Sequence, residues 1–277
     1  MQPRARDLGI EIGRLPTGPE NAITDIPGVR VGHTTLLEGE DVRTGVTVVV
    51  PPPEPLFAGA HRINGNGELT GLEWVRDSGL LTTPIGLTNT HSVGVVRDAL
   101  VAAAQTAAGQ PGEHDWSLPV VGETWDGFLN DINGFHVKAE HVRDALARAG
   151  DGPVEEGSAG GGTGMVCHGF KGGIGTSSRV TQDGWMVGVL VQANHGQRTR
   201  LRVNGVAVGE KIGPDVVPLP GSPEGAGSII VLCATDAPLL PHQCTRLAQR
   251  CALGIARNRS SASVFGERPS IASRSAM

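Results

Sequence analysis

Residues 224–236 read EGAGSIIVLCATD, and within them a run of small residues turns into a strongly apolar one. The preceding residues 213–227, GPDVVPLPGSPEGAG, are dense in proline and glycine, which is typical of a linker. The Ile, Val and Leu residues that follow predict a buried strand over residues 228–234. A single serine, Ser228, therefore lies where a flexible segment joins a rigid one.

The neighbouring segments predict both helices and strands. Residues 241–257, PHQCTRLAQRCALGIAR, predict an amphipathic helix with an apolar face; this face would contain Cys244, Leu247, Ala248, Cys251 and Ile255. A further helix is expected over residues 138–149, with Gly150 as its C-cap. Residues 185–194 predict an apolar strand, and the Asn204-Gly205 pair between β-branched residues predicts a hairpin turn. This mixture indicates an α/β or α+β protein.

Composition excludes several classes of function. The chain has 277 residues and a net charge of −5, so no basic surface for nucleic acid is expected. No apolar stretch is long enough to span a bilayer, and the N-terminus lacks the apolar core of a secretory signal. The four cysteines have no CxxC spacing, so they are interpreted as reduced core thiols of a cytoplasmic protein, with neither zinc nor a disulfide framework indicated.

Ser228 has two interpretations from its local sequence alone. It is either an ordinary residue at the start of a strand or a nucleophile released by cleavage of the Gly227–Ser228 bond. Cleavage would leave Ser228 with a free α-amine, whose pKa of roughly 7.7–8.0 suits a general base. Gly227 offers no side chain to obstruct attack on its own carbonyl. No GxSxG motif is present, and no triad histidine stands out.

Several blocks, in the same order, resemble the DmpA-type aminopeptidases, the L-aminopeptidase/D-amidase/D-esterase family that includes the β-peptidyl aminopeptidases. They cover nearly the whole chain and read NAITDIPGVRVGHTT, LTNTHSVG, VVGETWDGFLNDINGFHV, GGGTGMVCHGFKGGIGTSSR, VGVLVQANHG and GSIIVLCATDAPLLPHQ. The resemblance implies an α/β fold of the αββα type, a four-layer sandwich of two stacked sheets flanked by helices. It also implies a single domain over residues 1–277, cleaved into a large subunit 1–227 and a small subunit 228–277, which assembles as a homo-oligomer.

The same resemblance implies roles for individual residues. Cleavage at Gly227 would make Ser228 the N-terminal nucleophile, and Asn194 would donate to the oxyanion. Glu123 would bind the free ammonium of the substrate. In the segment GETWDG, Trp125 stands where the family usually has a tyrosine whose hydroxyl assists the oxyanion, and the chain has no tyrosine. The implied substrates are short peptides or amino-acid amides, with no metal or other cofactor.

The last 20 residues depart from the family pattern, which continues through a serine-glycine-acid motif into further strands. The segment most similar to this motif is Phe265-Gly266-Glu267, which has phenylalanine where the motif has serine. Glu267 is therefore a doubtful site residue, and Ser261 and Ser263 are weaker candidates still. This departure indicates a chain truncated relative to the family. It also leaves a second hypothesis open, that of an inactive protein with the family fold and a role in binding or assembly.

The glycine-rich residues 157–179 suggest a third hypothesis, a nucleotide-binding loop. The segment lacks the GxxxxGK[ST] pattern, so this hypothesis has little support. Lys171 and Arg179 in this segment are expected to have structural roles. The histidines His168, His195 and His242 show no spacing typical of metal ligands, and each is expected to be structural.

Overall fold

The computed structural model describes residues 4–107, 116–221 and 227–257. In these residues, the larger sheet contains β1 (Arg30–Glu38), β2 (Val42–Val50), β5 (Ile85–Asn89) and β6 (Val120–Thr124) in the order β1-β2-β5-β6. The second sheet contains β9 (Gly173–Val180), β10 (Met186–Asn194) and β11 (Ser228–Thr235) in the order β11-β10-β9. Two small antiparallel sheets pair β3 (Leu56–Phe57) with β4 (Leu80–Leu81) and β7 (Val166–Cys167) with β8 (Phe170–Lys171).

The helices are α1 (Leu72–Ser78), α2 (Val93–Ala107), α3 (Ala139–Ala147), α4 (Val208–Lys211) and α5 (Pro241–Arg257). None of the helices in the described ranges is both long enough and apolar enough to cross a membrane. The α/β class expected from the sequence is confirmed by this mixture of helices and sheets.

The larger sheet is buried on both faces, because each face packs against a different layer. Val49 and Leu87 point towards the second sheet and share a core with Ile174 and Leu190. The alternate residues Val46 and Val48 belong to a second core, formed with α2 and α3, which includes Val96, Leu100 and Val142. The nearly continuous apolar sequence of β2 follows from this burial, since a strand covered on both faces has no solvent side.

Two strand pairings bring the polar ends of strands together. The strands β5 and β6 run parallel with α2 as their crossover, and their register pairs Asn89 with Thr124 at the C-terminal ends. The strands β10 and β11 run antiparallel, and the last residue of β10, Asn194, pairs with the first residue of β11, Ser228. The strand β6 contacts β11, with Gly122 packed against Ile230, and this contact brings the two pairs of strand ends together.

The structure departs from the sequence expectations for two secondary-structure elements. The strand β11 is half-buried along its whole length, whereas a buried strand was expected; in the described residues it is the edge of its sheet, so one backbone edge has no strand partner. The helix α3 ends at Ala147 with Arg148 as its C-cap, and Gly150 instead forms a β-bridge with Val31. Gly150 therefore pairs with β1 and does not cap the helix, as its position in the sequence had suggested.

Other expectations agree with the structure. The helix α5 spans residues 241–257 as expected, and the residues of its expected apolar face line a common cavity. The Asn204-Gly205 turn has positive φ at both residues and closes a bridge between Val203 and Val206, as the hairpin signal predicts. All four cysteines are free thiols, but each is only partly buried, whereas core positions were expected.

Candidate active site

The hydroxyl of Ser228 receives two hydrogen bonds at the start of β11. The side-chain amide of Asn194 donates to Ser228 Oγ at 3.2 Å, and the main-chain N–H of Trp125 donates to the same oxygen at 3.0 Å. A serine hydroxyl has two acceptor lone pairs and one donor hydrogen. With both donors in place, the Ser228 proton points away from them and remains available to a base.

The side chain of Asn194 is held in a single orientation. Its Oδ1 accepts from the Val166 main-chain N–H at 2.9 Å, and its Nδ2 donates to the Trp125 carbonyl at 2.7 Å. The side chain is 7% exposed, so little water competes for these bonds. Because one bond requires an acceptor and the other a donor, the amide cannot be flipped without losing both. This leaves the second Nδ2 hydrogen for Ser228.

Trp125 reaches Ser228 through its main chain, whereas a contribution from its indole N–H was considered from the sequence. The indole lies against Gly127, where an added Cβ would be 2.8 Å from the ring. Absence of a side chain at Gly127 therefore makes room for the indole. A peptide N–H is an effective oxyanion donor because the fold fixes its direction.

Glu123 is the penultimate residue of β6 and is 6% exposed. Its carboxylate accepts from the Glu68 main-chain N–H at 3.2 Å and from the Thr90 hydroxyl at 2.5 Å. No ion pair to Glu123 is present in the described parts of the chain. A buried carboxylate without a protein cation can receive a ligand cation, because the ion pair would then complete its partners.

Ser228 and Glu123 line the same cavity, which has a volume of about 1090 Å³. One wall is formed by residues 56–69, and another by β11 and the apolar face of α5. Gly67 lies so close to Glu123 that an added Cβ would be 2.8 Å from its Oε1. The cavity thus combines a hydroxyl, a carboxylate and a largely apolar wall.

A set of buried polar residues under the site was not identified from the sequence. Gln192 is fully buried and donates to the Thr124 hydroxyl at 2.8 Å and to the Thr88 carbonyl at 3.0 Å. Asp126 is also fully buried and accepts from the Asn89 side chain at 3.0 Å. Burial raises the pKa of Asp126, while its hydrogen bonds lower it.

These residues lie in β5, β6 and β10 or, for Asp126, just after β6. The C-terminal ends of these strands lie close to Ser228. The signal of this buried set in the sequence is the cluster of polar residues in LTNT and ETWD, which lie at and just beyond the C-terminal ends of β5 and β6. Because buried polar groups require partners, these bonds fix how the strand ends meet.

The glycine-rich segment packs tightly against the neighbouring strands, which gives its glycines a structural reason. A Cβ at Gly161 would lie 2.6 Å from the Leu87 carbonyl oxygen, and one at Gly162 would lie 2.6 Å from the Ile174 nitrogen. Lys171 Nζ donates to the carbonyls of Met165, Gly172 and Gly162 at 2.9, 3.2 and 3.4 Å. The glycines therefore allow two layers to approach, and the lysine ties their loop together.

Arg179 likewise makes structural contacts, to the Asn21 side chain at 2.9 Å and to main-chain carbonyls. Glu267, Ser261 and Ser263 lie outside the described residues. His242 is the second residue of α5 and is exposed. His168 and His195 are buried, and His195 also lines the cavity.

Residues 21–266 match the sequence profile of peptidase family S58. The chain belongs to this family. Membership of S58 supports a hydrolase, in agreement with the resemblance to the DmpA-type aminopeptidases found from the sequence blocks.

Two curated relatives carry the same name. The β-peptidyl aminopeptidase BapA of Sphingosinicella microcystinivorans is 50% identical over 92% of this chain and 70% of its own length. The β-peptidyl aminopeptidase BapA of Sphingosinicella xenopeptidilytica is 44% identical over 94% of this chain and 70% of its own length. The S58 chain described here therefore spans about seven tenths of these two relatives.

Solved structures show the same fold. A β-aminopeptidase from Burkholderia sp. superposes with a TM-score of 0.86 at 60% identity, covering 92% of this chain and 72% of that one. The L-aminopeptidase D-Ala-esterase/amidase from Ochrobactrum anthropi superposes with a TM-score of 0.85 at 48% identity, covering 93% of this chain and 74% of that one. The latter is described as a serine aminopeptidase and a variant of the Ntn hydrolase fold. The S58 chain thus shares an Ntn-hydrolase-type α/β fold.

Proposed function

We propose that this chain is a self-processing aminopeptidase whose nucleophile is the N-terminal serine of its own small subunit. The observation that carries the proposal is the convergence of the Asn194 and Trp125 N–H donors on Ser228 Oγ, one residue after Gly227. The family and the names of the relatives support aminopeptidase chemistry. The substrates would be short peptides or amino-acid amides, including β-peptides.

Self-processing would begin with attack of Ser228 Oγ on the Gly227 carbonyl carbon. The C–N bond breaks as the acyl group moves to oxygen, and the proton lost by the Ser228 hydroxyl is transferred to the nitrogen, which becomes a free amine. Water then hydrolyses the ester and releases the carboxylate of Gly227. The products are a large subunit, 1–227, and a small subunit, 228–277, within one domain.

In the processed enzyme, the new α-amine of Ser228 would act as the base. No side-chain base hydrogen-bonds Ser228 Oγ in the described residues, since both of its partners are N–H donors. The amine takes the hydroxyl proton as Oγ attacks the substrate carbonyl, and then gives it to the leaving amine. Water hydrolyses the acyl-enzyme by the same base.

The N–H groups of Asn194 and Trp125, whose directions are fixed beside Ser228 Oγ, would donate to the substrate oxygen as negative charge develops on it. Glu123 would hold the substrate ammonium in the same cavity, which restricts cleavage to the first residue of a peptide. The apolar wall formed by β11 and α5 would receive the substrate side chain. For the fold, the contact of α5 with β11 supports α5 as the outer helical layer of the four-layer arrangement.

Intact-mass analysis tests the processing step. The wild-type protein is expected to give fragments 1–227 and 228–277, whereas Ser228→Ala is expected to remain at 28.7 kDa. Ser177→Ala is the matched control, because Ser177 lies in β9 of the same sheet. An uncut wild-type protein would contradict the proposal and favour the second hypothesis, a binding or assembly role without catalysis.

Hydrolysis of amino-acid amides and β-dipeptides tests the second step. Turnover is expected in the wild type and in Ser177→Ala and is expected to be lost in Ser228→Ala. Turnover that survives in Ser228→Ala would assign the nucleophile elsewhere. Light scattering on the processed protein measures whether it forms the homo-oligomer that the family resemblance implies.

A further inference from the structure

A cysteine and two histidines meet beside the candidate active site. The potential ligand atoms of Cys167, His168 and His195 all lie within 4.8 Å of one another. The main chain ties the two segments together, because the His168 N–H donates to the His195 carbonyl at 2.8 Å. The two imidazole rings are 5.3 Å apart between centroids and lie at 69° to each other.

His168 is held in the tautomer that suits a metal ligand. Its Nδ1 lies 3.1 Å from the Gln197 carbonyl oxygen, which can only accept a hydrogen bond. Nδ1 therefore carries the proton, and the lone pair of the ring lies on Nε2. A backbone carbonyl on the far nitrogen is the usual outer-sphere partner of a metal-bound histidine. Gly196, with φ of 87°, leaves room for this ring, since an added Cβ would collide with it.

His195 supplies a buried nitrogen that lacks a partner. The residue is 7% exposed, and within the described residues its Nδ1 is buried with no hydrogen bond. Such a group costs free energy unless a ligand or water satisfies it. Burial, with a smaller contribution from His168, lowers the pKa of His195 to about 4, so the imidazole is neutral at pH 7. A neutral imidazole can donate its lone pair to a metal.

Cys167 completes the set with a soft donor. Burial raises the pKa of its thiol to about 11, while a hydrogen bond from the His195 backbone opposes this rise. The thiol is therefore protonated at neutral pH when no metal is bound. A bound cation displaces the proton, because the thiolate is the form that ligates metal.

We propose that Cys167, His168 and His195 form a binding site for a thiophilic divalent cation of the Zn²⁺ class. One thiolate and two imidazoles are ligands that zinc prefers, with water or another small ligand in the fourth position. Ligand atoms on tetrahedral zinc lie roughly 3.5 Å apart, given its bond lengths, so separations of up to 4.8 Å would shorten by about 1.3 Å at most. The sequence showed no such site, because the residues belong to segments 27 positions apart.

The site is adjacent in the chain to two groups that orient the candidate nucleophile. Cys167 follows Val166, whose N–H holds Asn194 Oδ1, and His195 follows Asn194 itself. A cation bound to Cys167 and His195 would therefore cross-link the two segments that fix the Asn194 amide. The binding claim does not depend on the proposed peptidase activity.

Cobalt substitution tests the proposal on the full chain after dialysis against a chelator. We expect one equivalent of Co²⁺ to bind with release of one proton and to give tetrahedral visible bands and a thiolate-to-cobalt charge-transfer band, and we expect Zn²⁺ to displace the Co²⁺ and abolish these bands. Cys167→Ala is expected to lose the charge-transfer band. His195→Gln is expected to weaken Co²⁺ binding by more than the roughly 10–100-fold lost with an outer-sphere partner.

Cys233→Ala is the control, because Cys233 lines the cavity together with Cys244 and Cys251 but lies outside the cluster. Circular dichroism establishes that each variant is folded, and His195→Gln tests the site with all thiols present if Cys167→Ala does not fold. The proposal is overturned if the wild type shows no charge-transfer band at tenfold excess of Co²⁺. It is also overturned if His195→Gln binds Co²⁺ as tightly as the wild type, or if Cys233→Ala loses the band.

Discussion

Asn194 and Ser228 face each other across β10 and β11, and the amide of Asn194 donates to the Ser228 hydroxyl at 3.2 Å. The pairing places the last residue of one strand opposite the first residue of the next, where the ladder ends and Ser228 lines the cavity. Register is strongly specified in a sheet with a buried face. The relative position of these two side chains is therefore set by the hydrophobic pattern of the strands.

Replacing Asn194 with Ala removes one donor from Ser228 and leaves the Val166 N–H without its acceptor. We expect the rate of self-processing, and kcat of the processed fraction, to fall by roughly 10²–10³-fold, as for loss of one oxyanion donor. Intact mass over time and amide hydrolysis give the two rates. Exposed Asn133 provides the control Asn133→Ala, which should match the wild type; unchanged rates in Asn194→Ala would remove Asn194 from the mechanism.

Trp125 is expected to tolerate a change of side chain but not the loss of its N–H. Trp125→Phe should keep kcat within about threefold of the wild type, because the main chain supplies the bond to Ser228. Trp125→Pro should lower kcat by roughly 10²-fold or more, since proline has no N–H. Thermal unfolding of both variants separates this effect from misfolding. A fall in Trp125→Phe as large as that in Trp125→Pro would assign the role to the indole.

Glu123→Gln keeps the shape of the side chain and removes its charge. We expect kcat/KM for substrates with a free amine to fall by roughly 10–150-fold, since a hydrogen bond to a charged group contributes about 1.5–3 kcal/mol. N-acetylated analogues should be hydrolysed slowly by both enzymes, so the ratio between the two substrate classes should shrink. Glu68→Gln, an exposed carboxylate on the cavity wall, is the control. An unchanged ratio would place ammonium binding elsewhere.

Acid should destabilise the protein through His33. Burial lowers the pKa of His33 from 6.5 to about 4 in the folded state, and its Nδ1 lies 2.9 Å from the Thr47 hydroxyl. Between these two values the unfolded chain binds a proton that the folded protein does not, so the free energy of unfolding falls as the pH drops from about 6.5 to about 4. The slope from one such group approaches roughly 1.4 kcal/mol per pH unit within this window.

Urea unfolding at several pH values measures this dependence. His33→Asn should flatten the profile between about pH 6.5 and 4, while His195, whose pKa is also lowered to about 4, keeps part of the slope. The exposed His61→Asn variant should retain the wild-type profile. If His33→Asn keeps the full slope, the acid sensitivity arises from other groups.

Local patterns predicted those parts of the fold that local physics determines. The helix α5 has both a strong apolar period and a proline at its start, and the Asn204-Gly205 turn requires the positive φ that these residues tolerate. The half-burial of β11 was not predictable. The apolar composition of a strand does not reveal which other elements will pack against it. The C-terminal end of α3 was predicted wrongly for the same reason, because Gly150 forms a β-bridge with Val31 of β1.

Within the candidate site, Ser228 hydrogen-bonds Asn194 and Trp125 and shares a cavity with Glu123, while Glu267 lies outside the described residues. The connections among these residues come from tertiary structure. The burial of Gln192 and Asp126 depends on how β5, β6 and β10 meet. The cluster of Cys167 with His168 and His195 depends on a main-chain bond between distant segments. A spacing rule applied along the chain cannot detect ligands that two separate loops contribute.

The peptide N–H of Trp125 has an evolutionary consequence. A point mutation exchanges a side chain but leaves the amide in place, so this donor survives every substitution except proline. A substitution at position 125 other than proline therefore leaves Ser228 with one of its two N–H donors. Asn194 has no such freedom, because its donor is lost with its identity. Selection on the site should accordingly be uneven: strict at position 194 and, at position 125, directed at the path of the backbone.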